Sequence, residues 1–242
     1  MPVHASLADW VAGEAIPFVP GPNGPPASID SATDRIIAEL GSDLRLLALG
    51  EALHGSQEIL LIRNRMFQRL AAHHGFSAVV LEVSSPAARA INDYVLGKRE
   101  RSDPSVEAWF ANGFGLVEAN RELVEWLRAR NAETADEMPT WGWRKLRFYG
   151  FDLPLGQGGL ASPGGVLEIV LSYLEQVDAA GAESHRRRIA NLVGDPGDWE
   201  RPTAMFDPEQ SVGQEPRAKD LRIATLDLIT DVRVHAPAYI AR

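Results

Sequence analysis

The sequence predicts an α/β fold, a three-layer α/β/α arrangement with a largely parallel sheet and helical insertions, and three observations carry that prediction. Leu44 to Leu49, Ala78 to Leu81 and Arg147 to Phe151 are apolar runs of strand length. Between the first two lies a stretch of helical apolar spacing, so that strand, helix and strand follow over roughly forty residues, the pattern of a right-handed parallel crossover. Each run leads into a carboxylate: Glu51, Glu82 and Asp152. Apolar parallel strands alternating with amphipathic helices imply a sheet covered on both faces.

Each element follows from local chemistry. Prolines at 17, 20, 22, 25 and 26 remove amide donors in quick succession, so residues 1–30 are read as an extended N-terminal arm. Ser31 to Leu40 reads as a short helix with Ile36, Ile37 and Leu40 inward, ahead of the Leu44 to Leu49 strand. From Gln57 to His74, Ile59, Leu60, Ile62, Met66, Phe67 and Leu70 recur at helical spacing, with Asn64, Arg65, Gln68 and Arg69 opposite and Gly75 as the stop. After the Ala78 to Leu81 strand come helices over Ala87 to Leu96, stopped by Gly97, then Ser105 to Ala111 and Glu118 to Arg130, and then the third strand. Beyond it, Gly156 to Gly165 reads as loop, Val166 to Val177 and Glu183 to Leu192 as helices, Asp195 to Gly213 as turns, and Pro216 to Val234 as a last helix.

At 242 residues and 45% hydrophobic content the chain can bury a sizeable core, and it is read as one domain over 1–242. Its 33 acidic against 24 basic residues, a net charge of -9, argue against a nucleic-acid backbone or an anionic membrane as partner. The absence of cysteine excludes disulfides, thiolate zinc sites and cysteine nucleophiles. The first ten residues lack the basic start and apolar stretch of a signal peptide, and no window approaches the ~20 apolar residues of a membrane span. A cytoplasmic location is the expectation.

In an open parallel sheet, ligands bind outside the carboxyl ends of the strands, where Glu51, His54, Glu82 and Asp152 are expected to gather. The competing reading is that such acids cap helices or form structural ion pairs. In Gly50-Glu51-Ala52-Leu53-His54-Gly55-Ser56 the histidine stands on a tight turn three residues from an acid. A histidine in water titrates near ~6.5 and serves as a base at neutral pH, and a nearby carboxylate orients its ring. Arg63 lies one helical turn from both Ile59 and Phe67, within the apolar face. A guanidinium buried there without a partner costs about 3–5 kcal/mol, so it is expected to pair with Glu51 or Glu82 unless it snorkels to water. His73 and His74 read as surface residues complementing the helix dipole, and His4, His185 and His235 carry no motif.

Glu-x-x-His alone is a weak metal signal, and no second histidine stands at ligand spacing, so neither a metal nor a cofactor is expected. There is no Gly-x-Ser-x-Gly elbow, and Gly156-Gln157-Gly158-Gly159 lacks the spacing and lysine of a phosphate loop. Trp109-Phe110, Asn112-Gly113-Phe114-Gly115 and Trp141-Gly142-Trp143 read mainly as core, with Phe114 as a candidate apolar wall for a bulky ligand. Asp152 and Phe114 are the candidate substrate-binding residues, beside His54, Glu51, Glu82 and Arg63 as the catalytic ones.

Gly50-Glu51-Ala52-Leu53-His54-Gly55, Arg63, Leu81-Glu82, Ala119-Asn120-Arg121-Glu122-Leu123-Val124-Glu125-Trp126-Leu127, Phe148-Tyr149-Gly150-Phe151-Asp152 and Met205-Phe206-Asp207-Pro208 together resemble the erythromycin esterase family. The resemblance implies an α/β hydrolase that opens the lactone ester of macrolide antibiotics without a metal, in the setting of antibiotic resistance. It matches His54 to the base that activates water, Glu51 and Glu82 to acidic residues of the site, and Arg63 to its arginine. A small-molecule ester or lactone is the partner implied. The family also carries a late Ala-His-Asn strand with a second active-site histidine, and no such motif precedes Arg242. A shortened member or fragment is therefore expected, with an incomplete catalytic set and with the apolar side of Leu221, Ala224, Leu228 and Val232 lacking a packing partner. The alternative function is a relative that binds a small molecule or protein without turning it over.

Overall fold

The computed structural model describes residues 6–19, 26–41, 43–51, 53–111, 113–133, 144–152 and 162–240. Helices dominate, and the described strands form one small parallel sheet of two. Contacts divide the chain into two compact units, residues 1–83 with 87–151, and residues 84–86 with 152–242.

The N-terminal segment is the first departure from the sequence reading. Leu7–Glu14 forms a helix, α1, whose cap is Ser6: the hydroxyl accepts the Asp9 amide at 3.1 Å. Ser-x-x-Asp is a helix-start signal, but the prolines that follow drew the whole region into an extended arm. A second helix, α2, starts at Pro26 and runs Pro26–Leu40, five residues earlier than expected, with proline at the position where a missing amide does no harm.

Leu44 to Leu49 is the second departure. The segment has no ladder hydrogen bonds, and Leu46 is 76% exposed. A short apolar run becomes a strand only when a neighbour supplies its backbone partners, and among the described residues none does. The chain then enters α3, Gln57–His73. Its Arg65 and Arg69, expected on a polar face, meet α2 instead. Arg65 grips Asp30 at 2.9 and 2.6 Å, and Arg69 grips Asp34 at 2.9 and 2.7 Å. His74, read as a surface residue, also reaches Asp34 at 2.7 Å.

Strand β1, Ala78–Ser84, lies beside β2, Arg147–Asp152. Alternation puts Val79, Leu81, Val83 and Phe148 on a core shared with α4 (Ser85–Val95), α5 (Pro104–Ala111) and α6 (Glu118–Ala132). Asn131 of α6 locks the entry to β2: its amide donates to Val95 O and Leu146 O and accepts the Leu146 amide, at 3.1, 2.9 and 2.7 Å. Gly150 lets β2 approach, since a Cβ there would stand 2.2 Å from Val83 O and 2.8 Å from the Ala88 methyl. Val80, Glu82, Tyr149 and Phe151 point to the other face and are exposed. A three-layer sandwich would cover that face; the described sheet is covered on one.

The second unit is helical: α7 (Gly164–Val177), α8 (Ala179–Val193), the short α9 (Pro196–Trp199) and α10 (Pro216–Ile240). Leu221, Ala224 and Leu228 do have a partner. They are buried against Leu171, Leu174 and Ile189 of α7 and α8, with Val232 packed at the margin. His185, which carried no motif, is buried and bonds Asp231 of α10 at 2.7 Å. The last helix continues past the expected end at Val234, through Pro237 to Ile240, and Tyr239 is buried with its hydroxyl 3.2 Å from Asp178. Trp141 to Trp143 and Gly156 to Gly159 lie outside the described residues.

Candidate functional site

The site is built on the turn that precedes α3. The Ser56 amide donates to Leu53 O at 3.3 Å, closing a β-turn whose third residue, Gly55, has φ 73°. That left-handed conformation is one glycine adopts without strain. His54 occupies the second position and projects outward, 73% exposed. Its Nδ1 is 3.2 Å from Glu51 Oε1, and its Nε2 is 3.9 Å from Glu82 Oε2 on the outward face of β1. The imidazole thus stands between two carboxylates, one within hydrogen-bond reach and one just beyond it. Among the described residues, no three His, Asp or Glu side chains converge as a metal-binding group.

Arg63 behaves differently from the expectation. It forms no ion pair with Glu51 or Glu82. Its Nη2 donates to Asn120 Oδ1 and to Asn64 Oδ1, both at 2.8 Å, and its Nε donates to Asn64 Oδ1 at 3.2 Å. Burial pulls the guanidinium down to about 10, and the charge of Glu51 acts in the opposite direction. Arg63 therefore stays cationic at neutral pH and feels Glu51 through space, while neutral amides hold it in place.

Asp152 closes β2 with an exposed side chain and falls at the start of the second unit. Phe114, in the 3-10 turn Gly113–Leu116, packs its ring against the core of the first unit, and its carbonyl accepts from Asn120 at 2.9 Å. The exposed aromatic rings on the sheet face of Glu82 are Tyr149 and Phe151.

The sequence profile of the erythromycin esterase family matches residues 71–241. The chain belongs to the erythromycin esterase family. An Escherichia coli erythromycin esterase type II is 26% identical over 170 residues, which are 70% of this chain and 36% of that protein. Two solved structures share the fold: a Bacillus cereus protein at 18% identity and TM-score 0.65, covering 96% of this chain, and a succinoglycan biosynthesis protein at 15% identity and TM-score 0.63, covering 91%. The chain spans half the length of each of these structures and about a third of the Escherichia coli relative. Glu82 and Asn120 lie within the span matched to the erythromycin esterase family, whereas Glu51, His54 and Arg63 lie upstream of it.

Two residues that hold Arg63 escaped the sequence reading. Asn64, placed on the polar face of its helix, is 4% exposed, and Asn120 is 1% exposed. The signal was spacing. Asn64 stands four residues after Leu60 and three before Phe67, and Asn120 three before Leu123 and seven before Leu127, all of them buried. An asparagine in register with a buried stripe must have hydrogen-bond partners inside.

Proposed function

We propose that this protein is a metal-independent hydrolase of esters or lactones in which His54 activates water. The observation that carries the reading is the imidazole flanked by Glu51 and Glu82 at 3.2 and 3.9 Å. In the tautomer that this geometry favours, Nδ1–H donates to Glu51, which leaves the Nε2 lone pair for a water proton. The water oxygen attacks the carbonyl carbon as its proton passes to Nε2, and the imidazolium that forms sits between two negative charges. The tetrahedral oxyanion then collapses, the carbon–oxygen ester bond breaks, and the alkoxide recovers the proton from Nε2. Arg63 supplies positive charge for the acids or for the developing oxyanion. A macrolide lactone is the substrate class that family membership favours, and Tyr149 and Phe151 offer apolar surface beside Glu82 for such a ring. Phe114 and Asp152, the substrate-binding candidates from the sequence, stay part of this reading, Phe114 through the carbonyl that fixes Asn120.

His54→Ala should reduce hydrolysis of erythromycin or of simple lactones by about 10²–10⁴-fold while circular dichroism and thermal unfolding stay as in the unaltered chain. Chelator treatment should leave the rate unchanged. Turnover by His54→Ala at the original rate would refute the mechanism, and loss of activity on chelation would replace it with a metal-assisted one.

A second reading has one observation in its favour: His54 is 73% exposed, and in so wet a setting the electrostatic leverage of the carboxylates is weak. On this reading the chain binds a small molecule without converting it. Calorimetry alongside product analysis separates the two, since heat of binding without product selects the second.

A further inference from the structure

We propose that Asn120, together with Asn64, is a positioning residue that orients Arg63 without cancelling its charge. The proposal deepens the hydrolase reading and rests on it. A buried guanidinium is ordinarily balanced by a carboxylate, whose charge then cancels its own. Arg63 has two amide oxygens in that role, and both amides are themselves fixed. Asn64 Nδ2 donates to Ala119 O at 2.7 Å and Asn120 Nδ2 to Phe114 O at 2.9 Å. With the amino ends committed to carbonyls, only the oxygen ends can face the guanidinium, and a flipped amide would set donor against donor.

The Ala119 amide in turn donates to Gln57 Oε1 at 3.0 Å, so the start of α6, the 3-10 turn and α3 are fastened around one cation. Among the described residues Arg63 Nη1 makes no hydrogen bond, and the guanidinium forms no ion pair. Orientation comes from neutral groups, and the positive charge is kept for an anionic group of the substrate or its transition state. A carboxylate at position 120 would fill the same space and remove that charge.

The test uses the full chain and two independent readouts. In side-chain nitrogen NMR, the unaltered protein should give Arg63 distinct, slowly exchanging Nη signals, which merge in Asn120→Leu as the group turns freely and persist in Asn120→Asp. If Asn120→Leu does not fold, Asn120→Ser takes its place. Arg63 signals that ignore the loss of Asn120 overturn the proposal whether or not any ester is cleaved, so its failure is distinguishable from that of the hydrolase reading. In turnover of erythromycin, Asn120→Asp should lower kcat by about 10- to 100-fold with KM within about two-fold, and should cost nothing further in an Arg63→Ala background. Losses that multiply in the double variant, or full activity of Asn120→Asp, would overturn it.

Discussion

At the scale of single residues, position and chemistry pull in different directions. Helical periodicity placed Arg63 on a buried face, and it is there, but charge complementarity alone chose the wrong partners. A buried cation needs acceptor oxygens, and amide oxygens supply them without cancelling the charge. Gly150 offers a residue-level test that is independent of chemistry. An alanine methyl would stand 2.2 Å from Val83 O of β1 and 2.8 Å from the Ala88 methyl of α4, so β2 must move away from both. Gly150→Ala should therefore destabilise the first unit by roughly 1–3 kcal/mol or more, read as a lower urea midpoint. An unchanged midpoint would show that the approach of β2 to β1 is looser than described.

At the scale of elements, the pairing of α2 with α3 makes a prediction about pH. Asp34 is held down from 3.8 to about 2, first by the hydrogen bond from Arg69 and also by His74, against the opposing effect of burial. A carboxylate lowered in the folded state stabilises it above its unfolded value, and that contribution is lost as pH falls through the folded value. Asp34→Asn should thus unfold more easily than the unaltered chain above about pH 4, and the gap should close towards about pH 2. The carboxylate is 38% exposed, so screening keeps the difference modest. A gap that stays constant from neutral to acid pH would contradict the pairing.

The same scale shows what the sequence made legible. The helices from α3 to α6 and the strands β1 and β2 were read within a few residues, because their apolar spacing is regular and glycines at 75 and 97 stand where helices stop. Leu44 to Leu49 was not legible, because a strand depends on a partner that a local window cannot contain. The covered face of α10 belonged to the same blind spot: its apolar residues were visible, but their burial against α7 and α8 was not.

At the scale of the whole molecule, two units each carry a core of their own, and the family match runs through both. Helices take a larger share than the sequence reading expects, since one apolar run, Leu44 to Leu49, is assigned there to a sheet that has two strands among the described residues. Glu51, His54, Arg63, Asn64, Glu82 and Asn120 all belong to the first unit. Among the described residues no helix is long and apolar enough to cross a membrane. The proposed catalytic residues Glu51, His54, Arg63 and Glu82 lie in the first unit, and the central step is direct attack by water with His54 as the base. A single turnover of erythromycin in ¹⁸O-water, followed by mass spectrometry, addresses that claim most directly. The account predicts one ¹⁸O in the new carboxylate, an unlabelled alcohol, and product formed about 10²–10⁴-fold more slowly by His54→Ala. An unlabelled acid after the first turnover would mean that a carboxylate of the protein had attacked instead, and would contradict it.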